Sequence, residues 1–418
     1  MATAPGASSE MRDALLACTI EAVSLEGIEG ITLRSIAAAA GCSTALVFQH
    51  FAGKSQLIDA ALEHALEQDR DFHEEFANRI DGLRLGLGGL ATLISAYVEL
   101  RATQPIAQVW SEVLFKSGQI ESSNDLLGRW TRMRSDFWSG HLALQGLDRK
   151  LGHMLHTYVL MEEVYSYALH DRVEYLLMLR ETTRALVERF LGSPPKPCES
   201  AVSQWASADH SRFSVDDSMR DADSLRERLI TFGIAEIIAH GIAGMSLRKI
   251  AKRANASLSM IAYHFGDTES FVNETVWRAL IEDLPHEVDP NRRGGTPLST
   301  MSDWTGLLAN LIRPHEGETP PGFYVGVSRL IGQAALFARR QKNLLPIILH
   351  LRKIEGSGTF RASQTIWPQG FTIERSAATV FGIWVKGQAL LNETIASEAP
   401  ARTEEILEVA AYLYETPA

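Results

Sequence analysis

The strongest constraint on this chain is an internal duplication at a constant offset of 214 residues. Residues 31–51 read ITLRSIAAAAGCSTALVFQHF, and residues 245–265 read MSLRKIAKRANASLSMIAYHF, so the two segments align without a gap. Solenoid repeats recur at roughly 20–50 residues, far below this spacing. One chain therefore carries two copies of a whole domain, and each copy begins with the same short unit.

Each copy of the repeated unit reads as three short helices. Apolar residues spaced by three and four mark one buried face of the first helix, over about 10–26 and 224–240. Gly27 and Gly241 follow these stretches. Glycine adopts the left-handed conformation without steric cost, so both are expected to end their helices as left-handed caps.

Short polar residues stand where the second and third helices begin. Thr32 and Ser246 precede the second helix, and Ser43 and Ser257 precede the third. Their side-chain oxygens can accept hydrogen bonds from the first free amides of a helix. All four are therefore expected to be N-caps.

A tight corner separates the second helix from the third. Gly41 occupies it in the first copy and Asn255 in the second. Gly and Asn are the residues that most readily adopt a left-handed backbone. Two short helices joined by such a turn form a motif that reads DNA.

These residues resemble the N-terminal signature of the tetracycline-repressor (TetR) family of transcription regulators. The first copy carries TLRSIAAAAGCS from Thr32, then VFQHF and Lys54, and matches closely. The second copy carries SLRKIAKRANAS from Ser246, then IAYHF, and matches with departures. The signature covers about 50 residues in each copy.

Two departures from the family pattern concern DNA contacts. Where the family usually has a tyrosine that contacts phosphate, this chain has Phe48 and Ala262. The family's lysine at the start of the next helix is kept as Lys54 but is replaced by Thr268 in the second copy. Weak DNA binding by either half, or a second copy that binds none, therefore stays open.

The resemblance implies an all-α fold of two tandem TetR-like units, each a helix-turn-helix headpiece followed by a ligand-binding and dimerisation bundle. In chain order, the expected domains are headpiece 1 at 10–55, bundle 1 at 56–192, a flexible linker at 193–222, headpiece 2 at 223–269 and bundle 2 at 270–418. In the family, the last two helices of each subunit pair with those of a partner. This chain is expected to build that pairing with itself, as an intramolecular pseudo-dimer; a further homodimer stays open.

The expected DNA-binding residues follow from the exposed positions of the recognition helices and from the resemblance. They are Thr32, Arg34, Ser43, Thr44, Ala45, Leu46, Phe48, Gln49, His50 and Lys54 in the first copy, and Ser246, Arg248, Lys249, Lys252, Ser257, Leu258, Ser259, Met260, Tyr263 and His264 in the second. Gln49 can form two hydrogen bonds with an adenine. The second recognition helix offers few such donors, so it is expected to rely on phosphate contacts and DNA shape.

Charge is distributed unevenly between the two headpieces. The net charge of −11 argues against a general nucleic-acid coat, which requires a basic surface. Acidic residues outnumber basic ones over 10–70, whereas the two balance over 224–284. The second headpiece is therefore expected to hold phosphate more strongly.

The bundles are rich in aromatic residues. Those expected to line an effector pocket are Trp110, Phe115, Trp130, Trp138, Tyr158, Trp304, Phe323, Phe337 and Trp384. A cavity lined by such side chains suits a small hydrophobic or aromatic molecule. The alternative for each residue is ordinary packing in a helical core.

The sequence gives no support to an enzyme, a cofactor or a membrane protein. His153 and His156 could share a metal, but no acidic or cysteine partner stands at zinc-site spacing. No apolar run reaches the roughly 18–20 residues that span a membrane, and no signal peptide is expected, because the first residues have neither a basic region nor an apolar core. Three cysteines without a C-x-x-C pair fit a reducing cytoplasm, where we expect the protein to act.

Together these features predict a DNA-binding transcription regulator, a repressor released by a small-molecule effector, which reads an asymmetric operator in double-stranded DNA. One alternative is a small-molecule-binding helical protein whose headpieces have lost DNA binding. Another is a helical enzyme with a metal site. A gel shift and a metal analysis would separate them.

Overall fold

A computed structural model describes residues 5–116, 123–192, 200–209, 224–282, 300–315, 321–365, 373–394 and 403–413. All regular structure within these ranges is helical, as the sequence predicts. Contacts divide the chain into two compact units. Unit 1 comprises Met1–Arg84 and Leu100–His153, and unit 2 comprises Leu85–Glu99 and Met154–Ala418.

The helices of the first copy begin with the headpiece. They are α1 (Pro5–Gly30), α2 (Leu33–Ala39), α3 (Thr44–His50), α4 (Lys54–Arg79), α5 (Leu87–Arg101), α6 (Pro105–Phe115), α7 (Ser123–Leu144), α8 (Leu151–Leu169) and α9 (Val173–Phe190). A short helix, α10 (Ala201–Asp209), follows.

The helices of the second copy repeat the same opening order. They are α11 (Leu225–Gly244), α12 (Leu247–Arg253), α13 (Ser259–Phe265), α14 (Thr268–Trp277), α15 (Met301–Leu311), α16 (Phe323–Ala338), α17 (Leu345–Ile354), α18 (Ser357–Thr365), α19 (Arg375–Thr394) and α20 (Thr403–Leu413). A π-helical turn, Arg278–Glu282, continues α14. No described helix is both long and apolar enough to cross a membrane.

A buried ionic cluster in unit 1 joins α4 and α7 with Arg101, the last residue of α5. The carboxylate of Asp69, which is 0 % exposed, accepts hydrogen bonds from Arg101 at 2.5 Å, Trp130 at 2.5 Å and Arg134 at 2.7 Å. Burial alone would raise the pKa of Asp69, but the two arginines outweigh it and hold that pKa well below its ordinary value. The carboxylate therefore stays ionised inside the core.

His73 lies one helical turn beyond Asp69 and is also buried. Its Nδ1 lies 2.6 Å from the backbone oxygen of Asp69. Burial lowers the pKa of His73 to about 4, because the charged imidazolium loses its hydration and the attraction of Asp69 restores only part of it. The imidazole is therefore neutral at physiological pH.

Acid is expected to destabilise unit 1 through His73. The unfolded chain binds the proton with a pKa near 6.5 and the folded chain with a pKa of about 4, so the stabilisation is complete above the first value and is lost as pH falls between the two. Between about pH 7.5 and about pH 5 the loss amounts to about 2 kcal/mol. In urea unfolding at both pH values, the free energy of unfolding of His73→Gln should fall by about 2 kcal/mol less than that of the parent. An unchanged loss would contradict the assignment, whatever the variant's stability at neutral pH.

Unit 2 takes the last two helices of the first copy and packs them with helices of the second. Helix α9 contacts α17, α19 and α20. Across this core, Arg352 on α17 donates to Glu162 on α8 at 2.7 Å and to Thr182 on α9 at 3.1 Å, and both charged residues are 0 % exposed. Tyr158 and Tyr175 also donate to Glu162, at 3.1 Å and 2.9 Å, the second to its backbone oxygen. The carboxylate of Glu162 thus has several donors, which a buried charge requires, whereas Nη1 of Arg352 has no hydrogen-bond partner among the described residues.

A second buried cluster lies nearby in unit 2. Tyr165 on α8 donates to the carboxylate of Glu355 at 2.8 Å, and Lys386 on α19 contacts the same carboxylate. Although burial raises the pKa of Glu355, Lys386 and the hydrogen bonds hold it below its ordinary value. Residues of the two copies therefore share two ionic centres in one core.

The segment expected to be a flexible linker, 193–222, contains helix α10. Its described residues pack on the core, with Val202 0 % exposed and its amide donating to Glu181 at 3.3 Å. The ring of Trp205 lies 5.8 Å from the ammonium of Lys353. The expected flexible linker is therefore helical over Ala201–Asp209, because Val202 and Trp205 hold this Ser-rich and Ala-rich helix against the core. Residues 193–199 and 210–222 lie outside the described residues.

Candidate nucleic-acid interface

Headpiece 1 forms the predicted helix-turn-helix from α2 and α3. Thr32 accepts a hydrogen bond from the Ser35 amide at 3.0 Å, and the Ser35 hydroxyl accepts one from the Thr32 amide at 3.0 Å. Ser43 caps α3 by accepting from the Leu46 amide at 3.2 Å. Gly41 at the corner has φ 66°. Both predicted caps and the positive-φ corner are confirmed.

Headpiece 2 repeats this geometry from α12 and α13, with one difference. Ser246 accepts from the Lys249 amide at 3.4 Å, and Asn255 has φ 57°, the only positive value of a non-glycine residue within the described ranges. The predicted cap at Ser257 is wrong. Its hydroxyl lies 2.8 Å from that of Ser259, and Leu258 is already helical, so no side chain caps α13.

The same arginine–phenylalanine contact occurs in both headpieces, between residues that align at the offset of 214. The guanidinium of Arg12 lies 5.4 Å from the ring centroid of Phe51, and that of Arg226 lies 4.8 Å from the ring of Phe265. Phe51 is 3 % exposed, whereas Phe265 is half-buried against Phe271. The aromatic ring that ends each recognition helix therefore packs inward in both copies.

Both recognition helices bury an apolar residue at the same position, but the residues that they expose differ between the two copies. Val47 and Ile261 are buried at equivalent positions. On α3, the exposed predicted residues are Thr44, Ala45, Phe48 and Gln49, with Leu46 and His50 half-buried. Around α13, they are Leu258, Ser259 and Tyr263, with Met260 and His264 half-buried.

His264, expected to contact phosphate, is half-buried at the end of α13. Its Nε2 is buried and has no hydrogen-bond partner among the described residues, and its ring lies edge-on to that of Tyr263 at 5.1 Å. Tyr263 itself is 79 % exposed. The phenol of Tyr263 is therefore more accessible than the imidazole, and the phosphate contact of His264 stays a prediction.

Basic side chains surround an open cleft at the corner of headpiece 2. The cleft, of about 550 Å³, is lined by Arg248, Lys252, Asn255, Ser257 and Leu258 together with two alanines. Arg248, Lys249 and Lys252 are all exposed. In headpiece 1, Arg34 is exposed at the position equivalent to Arg248, whereas Ser35 and Ala38 stand at the positions of Lys249 and Lys252. Lys54, whose equivalent is Thr268, is half-buried. Headpiece 2 therefore presents the denser positive surface.

In each headpiece, a glycine interrupts the first helix shortly before the second helix begins. Gly27 has φ 72° and ψ 164°, and Gly241 has φ 73° and ψ 170°. The positive φ was expected, but the extended ψ shows that neither is a left-handed cap. At the first break, the amide of Ile28 donates to the carboxylate of Glu112 on α6 at 3.2 Å. A Cβ on Gly27 would lie 2.8 Å from Glu112, and one on Gly241 would lie 3.0 Å from Gln333 on α16.

The aromatic residues predicted to line an effector pocket form two groups of core contacts. Trp110, Trp130 and Trp138 are 0 % exposed in unit 1, where Phe115 is also buried and Arg134 lies 3.9 Å from the ring centroid of Trp110. In unit 2, Trp304 and Trp384 both lie against Phe381, at 5.3 Å and 5.7 Å between ring centroids. Tyr158 belongs to the Glu162 cluster, and Phe323 and Phe337 are half-buried.

The described part of the chain contains no cluster of side chains that could hold a metal ion. No group of three or more His, Cys, Asp or Glu residues lies together there. His153 and His156 sit on α8, where His156 is 2 % exposed.

Comparison with known proteins supports the reading of the first headpiece. Residues 15–61 match the family model of bacterial regulatory proteins, tetR family. The matched span runs from α1 through α3 into α4, and so covers the helix-turn-helix described above. No curated protein matches the chain. The match indicates a transcription regulator with a TetR-type DNA-binding domain.

Proposed function

We propose that this regulator is a repressor in which two non-identical heads on one chain read an asymmetric operator. The observation that carries the proposal is a repeated backbone with dissimilar exposed side chains. The corners at Gly41 and Asn255 and the breaks at Gly27 and Gly241 recur at the same offset. The outward residues of α3 and α13 differ, so the two heads prefer different bases.

The shared core of unit 2 supports an intramolecular pseudo-dimer. In the TetR family, the final two helices of each subunit form the dimer bundle. Here α9 packs with α19 and α20, the last two helices of the second copy, and Glu162 on α8 pairs with Arg352 on α17. The second copy therefore takes the place of a partner subunit.

A small hydrophobic or aromatic effector completes the proposed mechanism. The contact between Glu112 and the Ile28 amide provides a route from α6 to headpiece 1. An effector that favours a conformation with low operator affinity must bind less tightly when operator is present, because coupling between two sites is reciprocal.

Selection from randomised DNA tests the asymmetric operator. The expected best site has two dissimilar half-sites about 34–36 Å apart, one for each head. Replacing Gln49 with Ala should cost about 1–3 kcal/mol of discrimination at one adenine, in one half-site only. A perfect inverted repeat as the best site would contradict two different heads, and failure to select any sequence would favour a protein that has lost DNA binding.

Phosphate contacts are expected to be stronger in headpiece 2. Arg248→Ala with Lys252→Ala should weaken binding to all sequences, and more than Arg34→Ala with Lys54→Ala, because the first pair lines an open basic cleft. Each lost contact should lower the salt dependence of log K by about one. Binding isotherms at several salt concentrations measure both quantities. Equal losses, or a larger loss from the pair in headpiece 1, would show that the charge difference has no role.

A further inference from the structure

A cleft in unit 2 lies between α5 and α9, away from the aromatic residues considered above. Small residues at helical spacing on α5 form part of its lining: Gly88, Ala91, Ser95 and Ala96. Arg180 and Arg184 line it from α9, and one carboxylate, that of Glu99, lines it from α5, so the cleft has one more positive than negative side chain. Its volume is about 310 Å³, within the roughly 300–1,000 Å³ of ligand pockets. That space holds about ten non-hydrogen atoms, at roughly 30 Å³ for each water-sized group.

Ser95 supplies the first indication of a polar ligand. Its side chain is only 3 % exposed, and its hydroxyl has no hydrogen-bond partner among the residues that the structure describes. A buried hydroxyl without a partner is unfavourable, because it has lost its bonds to water without replacement. A ligand oxygen in the cleft would accept the missing hydrogen bond.

The two arginines supply the second indication. Arg180 pairs with Glu99 at 3.0 Å and Arg184 with Glu188 at 2.9 Å. The arginine side chains are 60 % and 56 % exposed, and surface pairs of this kind are weak. A guanidinium can therefore exchange such a partner for a ligand anion, which it binds through two parallel hydrogen bonds.

We propose that this cleft binds a small organic anion with a short aliphatic tail. Arg180, Arg184 and the Ser95 hydroxyl hold the anionic group, and the tail lies along Gly88 and Ala91. The site stands independently of DNA binding. Since α9 also packs against α19, an occupant would contact a helix of the shared core.

Calorimetry of the full-length protein tests the proposal with three ligands of equal chain length: octanoate, octyl phosphate and octanol. Saturable binding of octanoate or octyl phosphate, with no binding of octanol, is the expected result. The tighter of the two anions identifies the preferred head group. Failure of both anions to bind, or equal binding of octanol, would overturn the proposal.

Three variants locate the binding within the cleft. Arg180→Gln combined with Arg184→Gln should weaken anion binding by about tenfold or more, through loss of the charged contacts. Gly88→Leu should do the same by filling the cleft, and the substitution is tolerated because nothing lies within 4 Å of a Cβ built there. Arg172→Gln, at the N-terminus of α9 and outside the cleft, is the control and should bind like the parent. An equal loss in the control would show general attraction to positive charge and would overturn the site.

Discussion

Replacing Asp69 with Asn is expected to lower the free energy of unfolding of unit 1 by about 3–5 kcal/mol. Asparagine preserves the shape of the side chain but removes its charge. Arg101 and Arg134 would then keep buried positive charges without their shared carboxylate, and such uncompensated charges are costly. Denaturant unfolding followed by tryptophan fluorescence reports the change, because Trp130 donates a hydrogen bond to Asp69.

Asp71 provides the matched control on the same helix. It lies two residues further along α4 and is exposed, so Asp71→Asn should change stability by less than about 0.5 kcal/mol. A loss below about 1 kcal/mol for Asp69→Asn would mean that water reaches the cluster and screens its charges.

Breaking the pair of Glu162 and Arg352 is the second large effect expected. Arg352→Met alone should cost about 3–5 kcal/mol, because it leaves the carboxylate of Glu162 buried without a cation. Adding Glu162→Leu should recover much of that loss, since well-packed apolar residues can replace a buried ion pair. The three variants and the parent form a double-mutant cycle measured by urea unfolding of unit 2.

The double-mutant cycle can also contradict the expected coupling between Glu162 and Arg352. Additive losses from Arg352→Met and Glu162→Leu would show that the two residues do not interact, since independent sites add within about 0.5 kcal/mol. Such a result would remove the main contact that supports pairing of the first copy with the second.

Local features of the headpieces could be predicted from the sequence because they depend on near neighbours. The caps at Thr32 and Ser43 and the positive φ at Gly41 and Asn255 each follow from one residue and its own turn. The cap predicted at Ser257 is wrong because its hydroxyl lies against that of Ser259, two residues away, and not against a free amide of α13.

The buried charges could not be predicted in the same way. Asp69 and Arg134 are 65 residues apart, and Glu162 and Arg352 are 190 apart. Helical periodicity places such residues on a buried face but does not say which distant partner neutralises them. The signal available was a charged residue within an apolar stripe, as Asp69 is between Leu66 and Phe76 on α4.

The aromatic residues show a different limit of sequence reasoning. A tryptophan that lines a cavity and one that fills a core occur at the same helical spacing in a sequence, so the pattern does not distinguish them. In the structure, Trp110 and Trp130 surround the Asp69 cluster and Trp384 packs on Phe381, which are core contacts. Their role in holding an effector stays a prediction.

In the proposed pseudo-dimer, the core that contains Glu162 and Arg352 joins both heads, and this would change how occupancy of the operator depends on the amount of protein. Separate subunits that must first associate occupy DNA with roughly the square of their concentration when they are scarce. A chain that carries its partner keeps a constant internal concentration of the second head, set by covalent connection rather than by expression. Under this proposal, operator occupancy should rise in simple proportion to the number of molecules, so the proposed repression would persist in a cell with few copies. A mutation in α3 would then alter the reading of one proposed half-site and leave the other unchanged, so the two halves of the operator could diverge separately.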